Sequence, residues 1–452
     1  MIVERAREFS EEWSSSLHDF EESQHLCDLK SFRDQYVCDS RFRDELMQDL
    51  PSVLQRTYPL LTTKDIQAFL PSSFHDQWNL SDRLHELPHR LHTILSLEKQ
   101  YRSYLKSLKP IHSGWSEWRG LQINRLAAED SSFRSTQITH IPFAIELTDG
   151  CSGGCRFCGV SAPPLKQYHC RFVENQYLFR SLLQQLLEFC GPSAFTGCLY
   201  WATDPFDHAD YEDYAAVFQS TLGFWPITTT ALAEKHVSRL ISFLALRESA
   251  DDRPWGVRCS LRSASAYKAL FRQLTPLQRA KLVLIPQYKG ALTKQANAGR
   301  AFQQLDHDEY EEVGGTIACV SGLLVSLPRQ TIDFITPCLA EPNHPNGYRT
   351  IMQSNYTVDN LSDNLQKLMN QLPCPAIRVA TELTLSIDAS QFSLYPFKAF
   401  PGILDWMNQQ PFSLGSLIDS MPASLPSNQI MSYCLSLIQC GAIRIVDKQR
   451  LV

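Results

Sequence analysis

The sequence predicts a mixed α/β chain: an open (β/α)6 partial barrel of parallel strands, preceded by a helical N-terminal domain (residues 1–130) and followed by a small, mainly helical C-terminal module (residues 356–452). Three observations carry this reading. Up to about residue 130, apolar positions recur at spacings of three and four, and no strand-like run interrupts them. From Ile138 onward, strand-like and helix-like segments alternate, the pattern of a parallel sheet with right-handed crossovers. Past about residue 355 the alternation stops, and short helical runs end in the strand-like AIRIVD, a layout that suggests a winged-helix type of module. The barrel is therefore expected over residues 131–355.

Taken in order, Arg33–Asp49 and His85–Leu108 read as amphipathic helices, with Pro51, Pro59, Pro71 and Pro88 as punctuation. A long connecting helix is expected near Trp115 to Glu129. THIPFAIELTDG is a buried-strand run that ends in a glycine turn. After it come helix Gln176–Phe189, strand GCLYWATD, helix Tyr211–Thr221, strand PITTT and helix Glu234–Leu246. Strand Gly256–Leu261, helix Ala264–Leu274, strand KLVLIPQY, helix Asp306–Val313 and strand Gly315–Leu327 complete six units, with a further strand at Thr331–Ile335. Helices Asn360–Gln371, Pro401–Gln410, Leu414–Met421 and Gln429–Cys440 are expected in the C-terminal module. In such an architecture the reactive loops lie at the carboxyl ends of the strands.

Composition narrows the function. A net charge of −6 with 20% charged residues argues against a nucleic-acid-binding surface. No apolar run reaches about eighteen residues, so no membrane span is expected. The N-terminus is charged from Glu4, against a signal peptide, and a cytoplasmic protein is the expectation. Fourteen cysteines is a high count, and with no sign of export a disulfide framework is not the reading.

Three cysteines stand together as E-L-T-D-G-Cys151-S-G-G-Cys155-R-F-Cys158-G, directly after the first predicted barrel strand. Three thiolates can hold three irons of a cubane and leave the fourth open. The glycines around them allow a tight loop, and Phe157 is placed to shield such a cluster. A zinc loop is the alternative, but it would want a fourth Cys or His at matched spacing, and none follows.

With its strand before and alternating units after, this motif resembles the radical S-adenosylmethionine (SAM) superfamily. The resemblance implies a radical SAM partial barrel, with a [4Fe–4S] cluster on Cys151, Cys155 and Cys158 and SAM as cofactors. It also implies SAM contacts. Thr203-Asp204-Pro205 stands where that superfamily keeps a Gly-Glu-Pro edge for the SAM amino group, a departure in which Asp204 keeps the acid. Thr228, Thr229 and Thr230 end the third strand, and Thr228 is expected to reach SAM. Arg258 and Ser260 alternate on the fourth strand, share one face, and resemble a carboxylate and ribose clamp. Ile285 and Gln287 would flank the adenine. For each, a capped strand end or a hydrogen-bonded core polar residue is the bland alternative.

Within that superfamily, Trp118-Arg119-x-x-Gln122-x-x-Arg125-x-x-x-Glu129 and Pro345-Asn346-Gly347-Tyr348-Arg349 resemble the proteusin-type peptide epimerases of ribosomal peptide maturation. That likeness implies conversion of L- to D-residues in a ribosomal precursor peptide, with a flavodoxin or ferredoxin as electron donor. Such an enzyme must return hydrogen to the Cα face opposite the one it attacked, and a cysteine thiol is the natural source. Cys338, after a late strand and a proline, is the candidate donor expected near the barrel mouth; a buried structural thiol is its alternative. Cys319 is the runner-up, counted as interior to an apolar strand. Arg349 is expected to help position substrate. Sparse later cysteines (Cys374, Cys434, Cys440) argue against an auxiliary cluster. Other readings are a radical SAM maturase that cross-links, methylates or excises residues, and a non-catalytic leader-binding scaffold.

Overall fold

The computed structural model describes residues 20, 23–71, 86–129, 138–166, 170–248, 257–292, 298–304, 316–340, 342–357, 359–372 and 420. The predicted helix Asp306–Val313 and the C-terminal helices beyond Leu372 lie outside them.

The N-terminal part is helical: α1 (Gln24–Cys38), α2 (Ser40–Gln48), α3 (Leu50–Thr57), α4 (Thr63–Ile66) and α5 (Glu86–Ser107). The helix expected over Arg33–Asp49 is two helices that break at Asp39, whose backbone is extended. The cause is tertiary. The Asp39 carboxylate is buried and paired with Lys268 at 3.1 Å, a contact no local periodicity encodes. Asp49 starts α3 by accepting from the Ser52 amide at 3.2 Å, with Pro51 in the first turn where no amide is needed. Phe32, Phe42 and Tyr58 meet edge to face inside this helical core.

α6 (Ser113–Glu129) leaves that core and packs on the sheet: Trp115 and Trp118 both lie against Phe334, with ring centroids 5.7 and 4.6 Å apart. The motif on this helix is a buried clamp. Arg119 donates to His140 O at 2.8 Å, and Arg125 donates to Gln122, Thr336 and Pro337 O.

The strands are β1 (Ile141–Glu146), β2 (Thr229–Thr230), β3 (Val257–Leu261), β4 (Leu282–Pro286), β5 (Val320–Ser326), β6 (Thr331–Pro337) and β7 (Tyr348–Asn355). Between them lie α7 (Phe172–Cys190), α8 (Tyr211–Leu222), α9 (Val237–Glu248), α10 (Ala264–Gln273), α11 (Pro276–Ala280) and α12 (Gly299–Gln304), and α13 (Leu361–Asn370) follows. The fold is thus mixed α/β. β2, β3 and β4 are parallel, β1 is parallel to β5, and β6 and β7 continue antiparallel from β5. The expected strand GCLYWATD is reduced to single bridges of Cys198 to Ala144 and to Ile227, and these join the two sheets.

Strand order departs from a sequential (β/α)6 barrel. The strand counted sixth in the sequence pairs with the first, Ile141 opposite Val320 and Glu146 opposite Ser326. The outer side of β4 is covered instead by α1, where Lys30, paired with Asp34, donates to Leu282 O at 3.1 Å. Capping an edge strand with a helix protects its unpaired backbone groups. β7 has no counterpart among the expected strands; most of its residues are half-buried or exposed, with little apolar alternation.

β3 reads alternately buried and half-buried, so Val257, Cys259 and Leu261 face the helices while Arg258 and Ser260 face the opposite, partly open side. Among the described residues no helix is long and apolar enough to cross a membrane.

Candidate functional site

The loop after β1 carries the three cysteines. It is folded back on itself by the Cys151 amide on Pro163 O at 2.9 Å, by the Lys166 amide on Asp149 O at 2.9 Å, and by a Lys166–Asp149 ion pair at 2.8 Å. Cys155 is buried, and Cys151 and Cys158 are half-buried. Amides point at the sulfurs: Gly153 N–H donates to Cys151 Sγ and Ala162 N–H to Cys158 Sγ, each at 3.2 Å. Gly153 lies between two of them, since a Cβ there would be 3.2 Å from Cys151 Sγ and 3.3 Å from Cys155 Sγ. Phe157 is half-buried on the same turn.

Residues from other strand ends hold the loop. Asp207 accepts from the Ser152 amide at 2.8 Å. Arg262, just past β3, donates to Gly153 O at 3.2 Å and is fixed by Glu234 through its Nε at 3.1 Å. At the far end, Arg300 N–H donates to Cys158 O at 3.0 Å. Gly299 beside it has φ of +59°, and a Cβ there would sit 2.5 Å from Gly159 O, so only glycine lets α12 approach the loop this closely.

Burial pushes the Cys151 thiol up to about 12 and the Cys155 thiol to about 11, with Arg262 and Arg300 pulling Cys155 back down. These sulfurs become thiolates only beside a further positive partner. Among the described residues no three His, Cys, Asp or Glu side chains converge on a single metal-ion position. A cubane asks something different of its ligands, since each thiolate binds its own iron. Donor amides on two sulfurs, a side-chain-free gap at Gly153 and nearby guanidinium charge fit such a group.

The half-buried face of β3 and β4 brings several expected residues together, and others lie elsewhere. Arg258 and Ser260 share it, and Thr229 lies beside Arg258 in the pairing and bonds Tyr200 Oη at 2.8 Å. Gln287 is half-buried just past β4, its amide donating to Leu261 O at 2.9 Å, and Ile285 is half-buried on β4. Thr228 does not join them. It is buried on the opposite side, where its hydroxyl meets Tyr211 Oη at 2.7 Å, because neighbouring strand residues face opposite ways.

Asp204 is committed to the scaffold. It accepts from Thr230 Oγ1 at 2.8 Å, Ala231 N at 2.6 Å and Phe206 N at 3.0 Å, tying its own turn to the end of β2. Burial raises its carboxyl to about 6 in spite of those bonds. Thr203 is buried next to it. The acid that reaches the cysteine loop is Asp207, three residues on. The sequence signal for Asp207 and Arg262 was their place just after strand ends, where loops carry function.

Cys338 is not at the mouth. It is fully buried beyond the end of β6, its amide on Gly347 O at 2.9 Å, next to the Pro337 carbonyl that Arg125 grips. Arg349 is buried on β7 opposite Thr336. Cys319 precedes β5 instead of lying inside it, is half-buried, and packs on the cluster of Ile141, Ala144, Cys198 and Trp201 that Val160 of the cysteine loop also joins. Burial raises the Cys319 thiol while the Arg258 charge opposes that shift.

No family model matches the sequence. An uncharacterized protein, y4wI of Sinorhizobium fredii (strain NBRC 101917 / NGR234), is 31% identical over 319 residues, 67% of this chain and 60% of that protein. The chain thus spans less than two thirds of that relative's length. Among solved structures, BtrN in complex with AdoMet and 2-DOIA aligns with a TM-score of 0.30 and 13% identity, over 42% of this chain and 71% of that one.

Proposed function

We propose that this chain is a radical SAM enzyme that converts L- to D-residues in a ribosomally made precursor peptide. The observation that carries the reading is the cysteine loop itself. Cys151, Cys155 and Cys158 sit at the carboxyl end of β1 with amides on two sulfurs, and Arg262, just past β3, ties their loop to the strand that carries Arg258 and Ser260. Those three thiolates would hold a [4Fe–4S] cluster, which with SAM would supply the radical chemistry needed to take a Cα hydrogen from the substrate residue.

The chain's own residues do the rest. Asp207 and Arg262 hold the loop from either side, and Asp204 fixes the turn that carries Asp207. Arg258 and Ser260 would bind the SAM carboxylate and ribose, and Gln287 would flank the adenine. Cys319 returns hydrogen to the opposite face of Cα: its S–H bond breaks, a new Cα–H bond forms, and the sulfur radical is restored by one electron and one proton. An external flavodoxin or ferredoxin is the electron source. We assign the donor to Cys319 in place of Cys338 because Cys319 is half-buried and Cys338 is fully buried.

The test reconstitutes the full chain under anaerobic conditions and assays it with SAM, dithionite and a candidate precursor peptide in D2O. Epimerisation predicts 5′-deoxyadenosine and a single deuterium gained per converted residue. Loss of two hydrogens points to a cross-link, and no 5′-deoxyadenosine under any condition refutes the radical SAM reading. Cys319→Ala is expected to form 5′-deoxyadenosine and no D-residue; unimpaired D-residue formation removes Cys319 from the mechanism.

A further inference from the structure

The last carbonyls of a helix have no partner within it. At the end of α1 they are answered from elsewhere. Arg43 on α2 donates to Tyr36 O at 2.6 Å, Leu292 N–H to Val37 O at 3.0 Å, and Tyr288 Oη to Cys38 O at 2.7 Å. Arg43 also donates to Gly290 O. Tyr288, Gly290 and Leu292 all belong to the loop that leaves β4, so the helical N-terminal part ties this loop down along its length.

The start of the same loop leads to the cysteines. Gln287 N–H donates to Leu261 O at 2.9 Å, and the next residue along that strand end, Arg262, donates to Gly153 O at 3.2 Å. Arg43 is thus linked to the cysteine loop through the carboxyl ends of two paired strands, β4 and β3. Among the described residues no further strand pairs with the outer side of β4, and α1 lies there, with Lys30 on Leu282 O. In an open sheet, ligands bind outside the carboxyl ends of the strands. At this edge the helical part, in place of another strand and helix, borders that region. A guanidinium suits the task, because its planar fork presents several donors at fixed angles and can grip two elements at once.

We infer that Arg43 is a positioning residue for the nucleoside end of SAM, and that the helical N-terminal part completes the cofactor site by holding the loop after β4. This rests on the proposed function, which puts the adenine at Gln287, the first residue of that loop. Arg43 acts through the backbone of Gly290 and the end of α1.

Two measurements on the full chain test it. In the metal-free protein, Arg43→Gln should quicken hydrogen exchange over residues 287–292 by about tenfold, the effect of losing one charge-assisted hydrogen bond, and leave exchange over residues 151–162 as in the wild type. In the reconstituted protein, the same variant should raise the Kd for S-adenosylhomocysteine by about tenfold in calorimetry, with iron and sulfide content unchanged. Arg43→Lys should recover part of the affinity. Tyr288→Phe, which removes only the bond to Cys38 O, should shift the Kd the same way by less, and it carries the test if Arg43→Gln does not fold. Arg41→Gln, on the same helix and paired with Glu45 at 3.2 Å, is the control that should change neither measurement. Unaltered exchange in the loop or an unaltered Kd overturns the inference. So does a fall in iron content in step with affinity, which would make Arg43 a support of the fold at large. A wild-type chain that loads no cluster and binds no S-adenosylhomocysteine refutes the radical SAM reading and the inference with it, whereas wild-type binding that survives intact in Arg43→Gln refutes the inference alone.

Discussion

Gly153→Ala places a methyl group between two of the three sulfurs. The added Cβ would stand 3.2 Å from Cys151 Sγ and 3.3 Å from Cys155 Sγ. Optimal nonbonded separations are about 3.5–4.0 Å, so the sulfurs must move apart by a few tenths of an ångström or more. The bare chain tolerates this, because both neighbours are side-chain ends on a partly open loop. Replacing glycine at a compatible position also stiffens the unfolded chain by about 0.4–1 kcal/mol, so apo stability should change by less than about 1 kcal/mol. A metal site is less forgiving, with ligand distances held to roughly ±0.2 Å. The expected result is an apo protein with a near-normal denaturation midpoint that loads less than half the wild-type iron and sulfide. The assay is anaerobic reconstitution followed by iron and sulfide analysis and visible absorbance. Gly120→Ala, on α6 with nothing within 4 Å of its added Cβ, is the control that should load fully. Full loading of Gly153→Ala would mean that these sulfurs do not bind the group assigned to them.

Three further outcomes follow from the same geometry. Arg262→Gln frees the Gly153 carbonyl and strands Glu234, one of whose oxygens already lacks a partner; it should cost about 1–3 kcal/mol and lower cluster loading, and a variant unchanged in both measures removes Arg262 from the loop's support. Asp204 is raised from 3.8 to about 6 by burial, so the folded chain keeps a proton that the unfolded chain releases. Stability should therefore fall as pH rises from about 4 to about 6, by up to roughly 3 kcal/mol, and level off above; urea unfolding of the metal-free chain against Asp204→Asn checks it, and equal pH slopes in the two proteins refute it. Phe334→Ala empties the space between Trp115 and Trp118 and should cost about 3–5 kcal/mol in chemical denaturation, where a loss below about 1 kcal/mol would show that α6 is not seated as described.

Much of this was legible locally. Helix α5 was expected over His85–Leu108 and runs Glu86–Ser107, and β3, expected over Gly256–Leu261, runs Val257–Leu261. Periodicity is a property of neighbours in sequence, and these segments keep theirs over whole turns and pleats. The shared face of Arg258 and Ser260 follows from the same rule. Applied to Thr228-Thr229-Thr230, the rule says only that Thr229 opposes its neighbours; which side is buried depends on where Tyr211 packs.

The cysteine spacing, the strand before it and the faces of β3 were set by the sequence alone, because each depends on residues a few positions apart. Tertiary structure decided what depends on distant partners. Pairing of β5 with β1 departs from sequential order, since register across 180 residues is fixed by packing and not by local pattern. Asp204 serves the end of β2, because a buried carboxylate takes whatever donors surround it, here Thr230 and Ala231. Cys338 became interior while Cys319 stayed half-buried, with Arg125 gripping the end of β6 and β5 starting only at Val320. The support that Asp207, Arg262 and Arg300 give the cysteine loop exists only once a turn, the end of β3 and the start of α12 are brought against it.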